Sequence, residues 1–149
     1  MSNTDEQYIR RALALAERAA ADGDVPVGAV LVCSDLVIET KNEKELRHDA
    51  TAHAEMLALQ EAARRTGAWR LSGATLYVSK EPCLMCAGAI LAARIERLVY
   101  GARDRKGGAD GGAFDVLQSR KTNHRLVVRA GVLEEEAAAQ LQRFFRSRR

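Results

Sequence analysis

Ala74-Thr75-Leu76-Tyr77-Val78-Ser79-Lys80-Glu81-Pro82-Cys83-Leu84-Met85-Cys86 carries the chain from one kind of secondary structure directly into another. Ala74 to Ser79 is rich in β-branched and apolar residues and reads as a strand. Pro82 fits the first position of a helix, where its missing N–H is no loss. The apolar residues that follow predict a helix to about Ala93, and Arg97 to Tyr100 is a strand again. Strand, helix and strand joined by short links imply a right-handed parallel crossover. This stretch therefore predicts an α/β fold.

Downstream, Ala102 to Gly112 is rich in glycine and charge, has no periodicity, and reads as a loop. A short helix from Ala113 to Ser119 and a strand from Leu126 to Arg129 repeat the crossover. Leu133 to Phe145 is a final helix, with Glu134, Glu135 and Glu136 at its start and arginines at its end, an order that suits the helix dipole. Upstream, Thr4 followed by Gln7 has the capping-box spacing, and Tyr8, Ile9, Ala12, Leu13 and Ala16 recur at helical intervals as far as Gly23. Val25 to Cys33 and Leu36 to Thr40 form a hairpin across Ser34-Asp35. A polar segment, Lys41 to Asp49, leads to a helix from about Ala52 to Thr66, with Asp49 or Thr51 as its cap and Gly67 as its stop. The simplest packing is one mixed five-stranded sheet with helices on both faces, a three-layer α-β-α sandwich formed by a single domain over residues 1–149.

Composition agrees with a globular chain. Of 149 residues, 47% are apolar and 29% charged, and a net charge of +3 is compatible with a polyanionic partner without demanding one. No apolar run approaches the ~20 residues of a membrane span, and Met1 to Arg10 lacks the basic and apolar regions of a signal peptide. A cytoplasmic protein is expected. Its three cysteines offer no disulfide framework.

Two of those cysteines, Cys83 and Cys86, lie three apart at the start of a helix. A Cys-x-x-Cys pair alone is ambiguous between redox and metal chemistry, and the His53-x-Glu55 pair alone says little. Together they supply an imidazole, two thiolates and a carboxylate at two helix N-termini, where negative charge is favoured. One histidine and two cysteines suit zinc with its fourth position left for water, as a catalytic site requires. The pattern resembles the signature of the zinc-dependent nucleobase deaminases. A closed structural site completed by Cys33 is the plain alternative, although a cysteine ending an apolar strand is commonly just a small buried residue. Without the metal motif, Glu55 would be an ordinary solvated first-turn glutamate. Phe144 and Phe145 are expected to supply at least one core residue.

The chain resembles the bacterial tRNA-specific adenosine deaminases of the cytidine-deaminase-like fold. The markers are Val25-Pro26-Val27-Gly28-Ala29-Val30, Thr51-Ala52-His53-Ala54-Glu55, Thr75-Leu76-Tyr77-Val78, Glu81 to Ala89, Tyr100-Gly101-Ala102-Arg103-Asp104, Asn123-His124-Arg125 and Phe144-Phe145-Arg146. The resemblance implies zinc on His53, Cys83 and Cys86, with Glu55 carrying protons. It implies that Asn42 hydrogen-bonds the purine, with Val27 and the Ala54 backbone lining its pocket. Asp104, Lys106, Arg146 and Arg148 match regions that hold the anticodon loop, and the implied reaction converts the wobble adenosine of a tRNA to inosine, commonly in a homodimer. Lys80, beside the zinc turn, departs from the apolar residue usual there, and Gly111-Gly112-Ala113-Phe114 is an unusual version of its segment. Deaminases of free bases or nucleosides share the metal motifs. A non-catalytic zinc-stabilised RNA-binding module would need Cys33 in the metal shell and would have no use for Glu55.

Overall fold

The computed structural model describes residues 2–119, 121–122 and 124–148. Its elements are α1 (Ser2–Ala21), β1 (Gly28–Cys33), β2 (Leu36–Lys41), α2 (Lys44–Arg47), α3 (Ala54–Thr66), β3 (Thr75–Lys80), α4 (Leu84–Ala92), β4 (Arg97–Ala102), β5 (Val127–Arg129) and α5 (Glu134–Ser147). The strands form one sheet in the order β2-β1-β3-β4-β5. β1 is antiparallel to both β2 and β3, whereas β3, β4 and β5 are parallel. The mixed five-stranded sheet read from the sequence is thus present.

Alternation along the central strands sends side chains to two separate cores. On one face Leu31, Leu76, Val78 and Leu98 pack with Ala58 and Leu59 of α3 and with Ala87 and Ile90 of α4. On the other, Val30, Tyr77 and Val99 meet Ile9, Ala12 and Leu15 of α1. α5 joins this second layer, where Gln140 Nε2 donates to the Leu13 carbonyl (2.9 Å) and to Glu17 Oε2 (2.7 Å).

A buried carboxylate fastens α1 to the sheet. Asp5 is 1% exposed. It accepts two hydrogen bonds from Arg97 (2.8 and 2.6 Å), one from Arg129 (2.6 Å) and one from the Tyr77 hydroxyl (3.2 Å). The Arg97 guanidinium, with Arg129 adding to it, holds the carboxyl well below the ordinary range against the opposing effect of burial.

Several local expectations are corrected. α1 begins at Ser2, so Thr4 lies inside the helix and does not cap it. α3 is capped by the backbone of His53, and Asp49 instead closes a turn by accepting the Thr51 N–H (2.8 Å) and hydroxyl (2.7 Å). α4 starts one residue after Cys83, which leaves Pro82 just outside it. The polar segment after β2 contains the short α2. Residues 113–119 do not form a helix. Their backbone folds back on the preceding loop, with the Val116 and Leu117 N–H groups donating to the Ala109 carbonyl (2.9 and 3.1 Å) and Gly111 N–H to Phe114 (2.8 Å). Loop closure there wins over helical spacing.

Candidate active site

β3 ends at Lys80, and the next few residues cross to the N-terminus of α4, beside which lies the N-terminus of α3. This is where sites form in open α/β sheets, beyond the carboxyl ends of strands. His53 and Cys83 are the N-cap residues of α3 and α4, both with extended backbone and neither making a side-chain cap to its own helix. An N-cap usually turns its side chain back onto the helix amides; these two turn theirs to each other. His53 Nδ1 lies 3.6 Å from Cys83 Sγ and 3.5 Å from Cys86 Sγ. The three donor atoms fall within 4.8 Å of one another, so they can reach a single ion. One imidazole and two sulfurs so gathered match the donor preferences of zinc.

Cys83 is held down to about 3, first by the hydrogen bond from Cys86 and then by His53 against the effect of burial. Cys86 is correspondingly pushed up, by Cys83 first and burial second. The imidazole of His53 is raised by its bond to Cys83. Cys33 is elsewhere, at the far end of β1, with its Sγ 4.0 Å from the Ser72 carbonyl.

Glu55, two residues into α3, is 4% exposed and pushed up by burial, a state in which a carboxyl can hold a proton. It lines a cavity of about 150 Å³ together with Val27, Asn42, His53, Cys83 and Lys80. A larger groove of about 540 Å³ between α1, β2 and α3 contains none of the metal-ready side chains, so chemistry marks the smaller cavity as the site. Asn42 is fixed on the cavity wall: its Nδ2 donates to the Val25 carbonyl (3.2 Å) and its Oδ1 accepts the Ala54 N–H (2.8 Å). One Nδ2 hydrogen and one Oδ1 lone pair remain for a ligand. Ala54 meets the site only through this bond, since its carbonyl accepts the Thr40 hydroxyl (2.7 Å).

The remaining residues carried over from the resemblance are spread more widely. Asp104 sits in the loop after β4 and accepts the N–H groups of Lys106 (3.1 Å) and Gly107 (3.2 Å), and the Lys106 side chain is exposed. Arg146 is exposed on α5. Arg148 lies over the Phe144 ring, 4.6 Å from its centroid, in a groove shared with Glu17 and Ala20 of α1, away from the cavity. Asn123 and Arg149 lie outside the described residues. His124 Nε2 is 2.7 Å from the Ile95 carbonyl and has no part in the site.

Two residues of the site stood in the sequence only within marker segments, with no role of their own. Phe145 is 50% exposed and lines the cavity, and Phe144 is half-buried outside both core clusters, so neither phenylalanine of the pair belongs to the buried core. Glu81 is 1% exposed and accepts the N–H groups of Asp104 (2.9 Å), Asp110 (2.8 Å) and Gly112 (3.1 Å). Glycine at position 108 permits this wrapping, because a Cβ there would lie 2.3 Å from the Glu81 carboxyl. Glu81 was visible only as part of a motif, whereas its partners are more than twenty residues away.

Known proteins place this geometry in context. A family model described as MafB19-like deaminase matches residues 3–149. The chain is 47% identical over 146 residues to a tRNA-specific adenosine deaminase of Bacillus subtilis (strain 168), spanning 97% of this chain and 91% of that protein. It is 49% identical over 150 residues to one from Haemophilus influenzae (strain ATCC 51907 / DSM 11121 / KW20 / Rd), spanning 99% and 87%. Among solved structures, one from work on A-to-I editing by tRNA:A34 deaminases superposes with a TM-score of 0.84 at 41% identity, covering 90% of this chain and 98% of that one. A guanine deaminase from Nitrosomonas europaea superposes with a TM-score of 0.76 at 27% identity, covering 93% and 83%. A likeness running through the whole chain, including the loop and helix beyond the metal turns, makes it a member of the tRNA-specific adenosine deaminase family.

Proposed function

We propose that the protein is a zinc-dependent hydrolytic deaminase, formed by one domain over residues 1–149, that converts adenosine to inosine at the wobble position of a tRNA anticodon. The observation that carries this reading is the meeting of His53, Cys83 and Cys86 with the buried Glu55 around one cavity. His53, Cys83 and Cys86 would hold the zinc, which when bound makes a water acidic enough to react near neutral pH. Water adds at C6 of the purine while Glu55 accepts its proton. Glu55 then returns protons to the ring nitrogen and to the departing amine, so that water is consumed and ammonia released. Asn42 orients the base with its remaining donor and acceptor, and Val27 packs against it. An anticodon loop suits the narrow cavity because its bases leave the stack more easily than those of a duplex.

Arg103, Arg105 and Lys106 on the loop are exposed and suited to phosphates, with Asp104 in the turn between them and Arg146 and Arg148 on α5. The partner in assembly is a second copy of the chain: α4 has no charged residue, yet Leu84 is exposed and Gly88 borders open space. The cytoplasm suits three unpaired cysteines. No helix among the described residues is long and apolar enough to cross a membrane.

A second reading, deamination of a free base, draws on the likeness to guanine deaminase, but identity and superposition are both lower for that neighbour. Incubation with total tRNA and with free bases, followed by measurement of inosine and ammonia, separates the two. Inosine in tRNA supports the proposal, and ammonia from guanine alone overturns it.

A further inference from the structure

Lys80 ends β3 and lines the cavity beside His53 and Glu55. Its ammonium lies 2.9 Å from Asp104 Oδ2, and the two side chains retain only 25% and 21% of their exposure. The other oxygen of Asp104 accepts the Lys106 and Gly107 N–H groups. The Asp104 N–H in turn donates to Glu81. Burial pushes the Asp104 carboxyl up, but Lys80 and the two loop amides outweigh it and hold the group below its ordinary range. Both oxygens of Asp104 are thus committed inside the protein. The carboxylate is the hub of a turn, and the exposed Arg103, Arg105 and Lys106 ride on that turn. Two consecutive residues at and just past the end of β3 hold this loop: the Glu81 carboxylate accepts its backbone N–H groups, and Lys80 pairs with Asp104.

We propose that Lys80 is a positioning residue that, by tying down Asp104, fixes the cations of the 103–106 turn beside the cavity and so sets the preference for an anchored polynucleotide over a free nucleoside. The proposal rests on the reading of the protein as an RNA deaminase. An apolar side chain at position 80 would leave the partly buried Asp104 carboxylate without its cation, and such a charge, having lost its partner, regains water by moving outward. The turn would then move, and the loop cations with it. Discrimination would fall because binding energy made far from the reacting ring is what favours the larger substrate. A direct contact from Lys80 to a phosphate is the competing role, and it makes a different forecast, since it has no need of Asp104.

The experiment compares wild type with Lys80→Met, Lys80→Arg, Asp104→Asn and the Lys80→Met/Asp104→Asn double variant, all zinc-loaded. Each is assayed for kcat and KM on an anticodon stem-loop and on free adenosine, and for amide hydrogen exchange across residues 104–112. Lys80→Met is expected to lower the stem-loop preference roughly tenfold, a size typical of coupled charges, with the loss carried by KM. Lys80→Arg should restore most of it, Asp104→Asn should give a similar fall, and the double variant should fall no further. Exchange in the loop should quicken alike in Lys80→Met and Asp104→Asn. Falls that multiply in the double variant, a loss confined to kcat, or unchanged exchange in Lys80→Met would overturn the proposal. Should wild type leave the stem-loop untouched, it is the functional reading that fails. The exchange data then decide by themselves whether Lys80 ties the loop.

Discussion

Replacing Asp5 by asparagine removes a buried charge from beneath two arginines while keeping its shape. Removing one partner of a buried ion pair typically costs about 3–5 kcal/mol. Here Arg97 and Arg129 keep 30% and 40% of their side-chain exposure, so both can regain water and the cost is discounted. A destabilisation of about 2–3 kcal/mol follows, which for a chain of this length lowers Tm by roughly 4–12 °C. The pH dependence has a definite sign. The folded-state pKa of Asp5 is depressed, so its contribution is complete above the unfolded value of about 3.9 and is lost as pH falls through the folded value. Urea denaturation of both proteins from pH 7 to pH 3 should show a gap that is level down to about pH 4 and narrows below it. Since Asp5 pairs with Arg97 at the start of β4, away from the metal turns, deamination at low temperature should survive. A gap under about 0.5 kcal/mol at pH 7, the range of an ordinary surface change, or a gap that widens in acid, would refute the reasoning.

Other substitutions separate chemistry from fold. Glu55→Gln should keep fold and zinc but lower turnover by at least ~10²-fold, because Glu55 is the proposed proton carrier; inosine formation beside elemental analysis gives the answer. Cys33→Ala should leave one zinc per chain, and a drop in metal content would instead favour the closed structural site.

How much could be read from the sequence depended on how local each determinant is. The apolar runs at Val27–Cys33 and Ala74–Ser79 specify buried strands by themselves, and the short links around Cys83–Ala93 force the parallel crossover between β3 and β4. The donor set was legible for the same reason: each half of it lies within a few residues at a helix start. Capping was misread because propensity favours Asp49 and Thr51, whereas tertiary demand turned the His53 and Cys83 side chains outward from their own helices. The segment after Gly112 has helical spacing, but its amides answer to Ala109 and the neighbouring Gly112 N–H answers to Glu81. Phe145 repeats with Leu141 at helical spacing, and only the docking of α5 shows that it faces the cavity mouth. Roles set by partners twenty or more residues away leave no local pattern.

The central claim is that this cavity acts on a base presented by an RNA loop. It is tested most directly by steady-state deamination of an anticodon stem-loop with adenosine at the wobble position, set against free adenosine and guanine at several salt concentrations. The account predicts inosine in the stem-loop, a kcat/KM for free adenosine lower by about 10²-fold or more for lack of remote contacts, and stem-loop binding that weakens with salt by about 0.7 log units per log unit for each phosphate contact. Equal or better turnover of a free base, with binding indifferent to salt, would contradict it.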